Sequence, residues 1–412
     1  MLTTALQTVF LFQKCKKMNA FERLLPDPLM KPLTRCCIMP VKFLLGVCMK
    51  VTVATDSFKG SLTSLEAGRA VRDGILSVCP YASVTVLPLA DGGEGTVDAI
   101  APYTGGEVRR LTVTGPLGSP VEASYIFDPS SATAYIEMAK ASGLTLVPSS
   151  SLDPLHATSY GTGELMADAI KAGARSLVIC IGGSATNDAG AGMLQALGAK
   201  LTSEDGSDIP FGAAGLQSLS SVDLSALPSG ISVTVASDVT NPLCGPDGAS
   251  RVYGPQKGAD FETCEMMDRL LLRFAKLTGF DPYEPGTGAA GGMSFALKDI
   301  LGAELKSGAD IVNDLTGAEA LIRDCDIVIT GEGRMDSQTV NGKAPYKILL
   351  LAQKYGKPVI GITGVLGEGY EKCLKAGFSR IVPLVTPTMD RDGAVVSVKE
   401  TVRRLFEAGQ LP

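Results

Sequence analysis

The segment Gly182-Gly-Ser-Ala-Thr-Asn-Asp188 follows an apolar run over residues 176–181. Glycines directly after a strand let backbone N–H groups approach an anion closely. With the hydroxyls of Ser184 and Thr186, Gly182 and Gly183 therefore have the makings of a phosphate cradle. Asn187 and Asp188 at its rim add an amide and a carboxylate where a metal-bound phosphate or a substrate hydroxyl would sit. The bland alternative is a tight strand-to-helix turn with a polar cap, leading into a helix over 189–197. Four further apolar runs end in similar punctuation. Residues 51–54 precede Asp56-Ser-Phe-Lys-Gly-Ser61, and 84–89 precede Asp91-Gly-Gly-Glu-Gly-Thr96. Residues 232–236 precede Ser237-Asp-Val-Thr-Asn-Pro242, and 326–330 precede Gly331-Glu-Gly-Arg-Met-Asp336. In open α/β sheets ligands bind beyond the carboxyl ends of the strands, so convergence of these loops would make one anion and metal site.

The elements that must position these loops alternate between strand and helix patterns, which predicts an α/β chain. The outer parts are regular, with helices expected over 64–78, 94–102 and 343–355 and late strands near 358 and 380. Five parallel strands drawn from both ends would close one sheet around an insertion. The middle carries short alternating runs at 108–113, 121–127 and 133–138, the pattern of antiparallel pairing. The expected division is a discontinuous outer domain, 49–105 and 293–412, around an inserted domain, 106–292.

Six segments stand in a recognisable order: Asp56 to Ser61, Ala90 to Thr96, Tyr160-Gly-Thr-Gly-Glu-Leu165, Gly182 to Asp188, Gly254-Pro-Gln-Lys-Gly-Ala259 and Gly331 to Asp336. From about Met49 to the C-terminus, the chain resembles the bacterial type I glycerate kinase family. That resemblance implies ATP- and Mg²⁺-dependent phosphorylation of D-glycerate to phosphoglycerate, the 2-phosphate favoured over the 3-phosphate, although the residues leave that choice open. It also implies a flavodoxin-like parallel sheet domain with an inserted restriction-enzyme-like mixed α/β domain. The chain departs from the family pattern at Thr55, Cys180 and Ala189, where small or glycine residues are more usual; this bears on loop geometry and removes no reactive group.

Phosphoryl transfer needs positioning and charge neutralisation more than covalent work by the protein. On that basis Gly182, Gly183, Ser184 and Thr186 are assigned to the nucleotide phosphates and Lys59 to the transferring phosphoryl group. Asp188 is the candidate general base, with Asn187 beside it. Asp91, Asp238, Glu332 and Asp336 are candidate magnesium or metal-water ligands. Arg334, able to grip a carboxylate through two parallel N–H bonds, is assigned to glycerate, with Lys257 as second cation and Ser57 nearby. Gly286-Thr-Gly-Ala-Ala-Gly291 matches a dinucleotide fingerprint by letter but follows no strand. Gly291 and Gly292 are left as a helix entry near the phosphates or as a hinge. Alternatives stay open elsewhere: Asp91 and Asp238 as caps, Lys59 and Lys257 as solvated lysines, Glu332 and Arg334 as a structural ion pair.

Composition narrows the classes further. A chain of 412 residues has room for two domains, and its 47 glycines exceed the average usage of about 7%. A net charge of −6 without a basic stripe argues against nucleic acid as a partner. No stretch approaches the roughly 20 apolar residues of a membrane span. There is no Walker motif, which excludes a P-loop kinase, and the lone His156 lies outside any nucleophile elbow, which excludes a Ser-His-Asp hydrolase. The cysteines lack the spacing of a zinc site or a disulfide framework and read as reduced thiols of a cytoplasmic protein. Residues 1–48 hold four of the ten cysteines and no sustained periodicity. They read as an over-extended gene start, with Met49 as initiator. A targeting segment is the rival, but its apolar run precedes its lysines, the reverse of a secretory signal. A nicotinamide oxidoreductase and a two-lobed binding protein are the competing classes. The first lacks the strand before its glycines, and the second leaves the carboxylates crowded at an anion site unexplained. The oligomeric state is open, with a homo-oligomer compatible.

Overall fold

The computed structural model describes residues 49–58, 60–90, 92–388 and 390–412. The expectations for residues 1–48, Lys59 and Asp91 lie outside the described residues. Two sheets organise the rest. The first is built from β1 (Lys50–Thr55), β2 (Ser83–Pro88), β11 (Ile327–Met335), β12 (Val359–Leu366) and β13 (Arg380–Pro383), in the order β13-β12-β11-β1-β2. All its pairings are parallel. The second contains β3 (Glu107–Thr114), β4 (Pro120–Asp128), β5 (Thr133–Glu137), β6 (Ser176–Cys180), β9 (Ser232–Ala236) and β10 (Glu304–Lys306), in the order β10-β9-β6-β5-β4-β3. Here β3, β4 and β5 pair antiparallel and the remainder parallel. The alternating runs of the middle thus form the antiparallel edge that their period predicts. A small ribbon joins β7 (Lys200–Thr202) to β8 (Ser221–Asp223).

Burial on both faces explains the near-continuous apolar reading of the parallel strands. Val51, Val53, Ile327, Ile329, Ile360 and Ile362 pack on one side under helices Ser64–Val78 and Arg391–Glu407. Val328 and Val359 face the other side, against Ile348 and Leu349 of helix Ala344–Lys354. Helix Ser64–Val78 begins where it does because Thr63 and Glu66 form a reciprocal capping box. Between the sheets lie helices Thr96–Thr104 and Gly308–Thr316, whose Val97, Ile100, Ile311 and Val312 pack on Ile126, Tyr135 and Ala236 of the second sheet.

Two expectations need correction. The strand predicted to end at Thr330 continues as β11 to Met335, because the 331–335 segment finds a partner in β12 through Leu366. Glu332 and Arg334 therefore sit on a strand instead of in a loop. The expected domain limit at 292/293 also falls short, since Glu304–Lys306 pairs with β9 and extends the second sheet.

Candidate active site

The carboxyl ends of β1, β2, β6 and β9 face a cavity of about 1110 Å³ between the two sheets. Asp56 and Ser57 come from β1, Gly92, Gly93 and Glu94 from the turn after β2, Gly182 and Gly183 from β6, and Ser237 and Asp238 from β9. A second cavity of about 640 Å³ lies beyond the ends of β11 and β12 and carries Glu332, Arg334, Asp336 and Lys343. Asp56, Ser57 and Ser61 line both. Four of the five expected loops converge on one cavity, and the fifth supplies its neighbour.

The loops meet almost backbone to backbone. A Cβ on Gly182 would lie 2.6 Å from Gly93 Cα, so no side chain fits there. The Gly182 N–H donates to Gly92 O at 3.2 Å, which ties the two glycine turns together and takes up one of the N–H groups expected to face the ligand. The turn after β2 is itself held from the second sheet. Buried Glu137 of β5 accepts from Gly95 N–H at 2.9 Å and Val97 N–H at 3.2 Å. Burial pushes its carboxyl up against the lowering effect of those two donors.

Behind Gly183 the polar side chains turn inward, and several assignments change. Asp188 is completely buried. It accepts from Ser159 N–H at 2.9 Å, Ser159 Oγ–H at 2.7 Å, Gly190 N–H at 3.1 Å and Gly192 N–H at 3.3 Å. Burial raises its pKa while those donors lower it. With its oxygens committed and away from the cavity, Asp188 anchors the loop and is not placed as a general base. Asn187 is buried as well, its Nδ2 donating to Ser250 Oγ at 2.8 Å. Lys257, expected beside the substrate, lies beneath the loop: its Nζ donates to Ser184 Oγ at 2.9 Å and to Thr186 O at 2.6 Å. Ser184 and Thr186 are thus turned onto this interior cluster, where Thr186 Oγ1 and Asn187 Oδ1 have no hydrogen-bond partner among the described residues. Gly291 and Gly292 back the same loop. Their missing side chains allow contact with Thr186 O and Ala189 Cα, and the residues that reach the cavity from this segment are Ala289 and Ala290.

Asp238 does face the larger cavity and is tied across the molecule to Lys347, 3.3 Å away on helix Ala344–Lys354. In the smaller cavity Glu332 accepts from Thr339 Oγ1–H at 2.6 Å and lies 3.2 Å from Lys343 Nζ. Asp336 lies 3.3 Å from Arg334 Nε and 3.9 Å from Lys343 Nζ. Glu332 and Arg334 do not pair with each other; each carboxylate here is matched to a cation. The described residues contain no group of three or more metal-type ligands. What the structure does bring together on the larger cavity is a set of carboxylates, Asp56, Glu66, Glu94, Asp98 and Asp238.

Three residues escaped the sequence reading. For Asp56 the signal is its place directly after β1, at the start of the 56–61 loop. Lys343 carries a weak signal, a lysine between Gly342 and the start of a helix. Arg391 carries none: it lines the larger cavity from a helix more than 300 residues along the chain and is its only cation among the described residues. Its Nε donates to Glu66 Oε1 at 2.9 Å, and this bond lowers the Glu66 pKa.

Two α/β sheets whose strand ends share a glycine-lined cavity have the architecture of a small-molecule site of the mixed α/β class. The glycerate kinase family model matches residues 51–408. The chain is 46% identical over 364 residues to the glycerate 2-kinase of Escherichia coli K12, covering 86% of this chain and 96% of that protein. It is 47% identical over 355 residues to the glycerate kinase of Bacillus subtilis 168, covering 83% and 92%. The crystal structure of a protein described as glycerate kinase 2 from Salmonella typhimurium LT2 superposes with a TM-score of 0.78 at 45% identity, over 88% of this chain and 99% of that one. This chain belongs to the glycerate kinase family and is a kinase. No helix of the described residues is long and apolar enough to cross a membrane.

Proposed function

We propose that this protein phosphorylates D-glycerate with ATP and Mg²⁺ in the cytoplasm, giving 2-phosphoglycerate in preference to 3-phosphoglycerate. The observation that carries this reading is the junction of the two cavities at Asp56 and Ser57. A glycine-lined space large enough for a nucleotide opens there onto a smaller one with Arg334 and Lys343 on its wall. The chemistry of the donors fits the cofactors. Backbone at Gly182 and Gly183 admits phosphates without side-chain interference, and Asp238 offers a hard oxygen ligand of the kind that Mg²⁺ prefers. When bound, MgATP supplies the transferable phosphoryl group and neutralises its charge.

The protein's own part is positioning. Gly182 and Gly183 set the approach of the phosphates, and Arg391, paired with Glu66, is the cation on this cavity wall among the described residues. Asp238, with Asp91, is proposed to hold the metal. Glu332 and Asp336, expected as metal ligands, instead orient Lys343 and Arg334 toward the glycerate carboxylate. Asp56 takes the hydroxyl proton. Its Oδ1 accepts from Ser57 N–H at 2.7 Å, which orients the carboxylate at the mouth shared by both cavities. Lys59 keeps its proposed place at the transferring phosphoryl group.

The order of the first sheet, which becomes 2-1-3-4-5 when its strands are renumbered among themselves, supports a flavodoxin-like outer domain. The domain limits proposed are 49–105 with 307–412 outside, and 106–306 for the restriction-enzyme-like insert. Purified protein incubated with D-glycerate, ATP and Mg²⁺ should release ADP in proportion to glycerate, lose activity with EDTA, and turn over no nicotinamide cofactor. ³¹P NMR of the product distinguishes the two phosphoglycerates. Folded protein that makes ADP with none of the small hydroxy acids would overturn the reading.

A further inference from the structure

Lys257 is one of the largest completely buried side chains in the protein. The turn that carries it explains why. Pro255–Lys257 forms a 3₁₀ turn closed by Gly258 in the left-handed region at φ 100°, where a Cβ would meet Leu152 at 2.7 Å. This chain reversal directs the lysine inward. Its ammonium donates to one hydroxyl and one carbonyl, and no carboxylate among the described residues lies within 4 Å of it. The groups around it are committed elsewhere. Asp188 has its donors from Ser159, Gly190 and Gly192, Arg251 is paired with Glu265 and Asp268, Asp260 caps its own helix at Thr263, and Asp153 holds His156. Cys264 is buried and uncharged, its pKa raised by desolvation.

A buried ammonium is costly, and the charge that acts on this one from within the protein, the buried carboxylate of Asp188, lies beyond direct contact. Ser184, which holds it, directly follows Gly183, and Gly183 lines the larger cavity. We propose that Lys257 is a positioning residue whose charge, in direct contact with no carboxylate among the described residues, acts on the anion bound on the opposite side of the 182–186 loop. It completes the phosphate cradle electrostatically from behind and never touches the ligand. This inference rests on the reading of that cavity as the nucleotide site. Burial pulls the Lys257 pKa down to about 7 against the raising effect of the Asp188 carboxylate, so a further anion arriving nearby would draw a proton onto it.

The test is binding of ADP without metal, followed calorimetrically in buffers of different ionisation enthalpy between about pH 7.5 and about pH 9, where the terminal phosphate, with a pKa near 6, is already ionised. Wild type should take up protons on binding, and its affinity should fall several-fold across that range. Lys257→Met should bind ADP roughly ten-fold or more weakly, with neither proton uptake nor pH dependence, and its KM for glycerate should stay near wild type. A merely structural lysine would lower the melting temperature of the variant and leave the ADP affinity of the folded fraction intact, which overturns the inference. So does the absence of proton uptake in wild type, the deciding measurement should Lys257→Met fail to fold. If wild type binds no ADP at all, the nucleotide-site reading falls too, which separates that failure from this one.

Discussion

The glycine-lined wall of the larger cavity and the charged wall of the smaller one present opposite faces to a ligand. On the first, Ser184, Thr186, Asn187, Asp188 and Lys257 turn away into a buried network, and what faces the cavity is backbone. On the second, Glu332, Arg334, Asp336 and Lys343 face the cavity themselves, held in ion pairs. The difference follows from what each wall has to do. A backbone surface adapts poorly but is rigid when most of the side chains beneath it are hydrogen-bonded. Long cationic side chains, Arg334 on a strand and Lys343 at a helix start, can instead close around a small carboxylate, with neighbouring carboxylates setting their resting position. Rigid reception of phosphates and adjustable capture of an acceptor are the two requirements of positioning a phosphoryl transfer.

Asp56 lies where the two walls meet, so Asp56→Asn is the sharpest way to break the comparison. Its kcat should drop about 10²- to 10⁴-fold with both KM values little changed, if it takes the hydroxyl proton. An unchanged kcat with weaker nucleotide binding would make Asp56 a metal ligand. Arg334→Met tests the charged wall alone. Loss of a charge-assisted contact worth about 1.5 to 3 kcal/mol should raise the KM for glycerate roughly 10- to 150-fold and leave ATP affinity unchanged. A rise in the KM for ATP instead would exchange the proposed occupants of the two cavities.

Asp188→Asn tests the opposite wall. An amide brings donors against the N–H groups of Ser159, Gly190 and Gly192, so the variant should lose about 1 to 3 kcal/mol of stability by denaturant titration. Its kcat at saturating substrate should remain within a few-fold of wild type, whereas a loss of several orders of magnitude would restore Asp188 as the base. The smallest effect is expected at Ala290, which lines the larger cavity with φ 55° and packs its segment against the similarly left-handed Ala189 loop. Ala290→Gly removes left-handed strain of about 1 to 2 kcal/mol and adds unfolded-chain entropy of about 0.4 to 1 kcal/mol, so stability should rise by about 0 to 1.6 kcal/mol. A clear loss in thermal unfolding would show that the alanine methyl contributes packing.

Strand positions were legible in the sequence because local patterns carry them. The β-branched runs at Val51, Val84, Ser176 and Ser232 became strands, with boundaries close to those expected, since period and turn chemistry act over a few residues. The same locality made the glycine turns visible as places where backbone is exposed. Which side of a turn each polar side chain takes was not legible. Asp188, Asn187 and Lys257 carry the residue types of a reactive site, yet Ser159, Ser250 and the 3₁₀ turn at Pro255 draw them into the interior. Arg391 and Glu66 meet across 325 positions of sequence. By itself the sequence determined the strands, the turns and the chemical inventory. Only the tertiary structure decided which of those groups face the ligand, because burial and hydrogen-bond saturation depend on segments far apart in the chain.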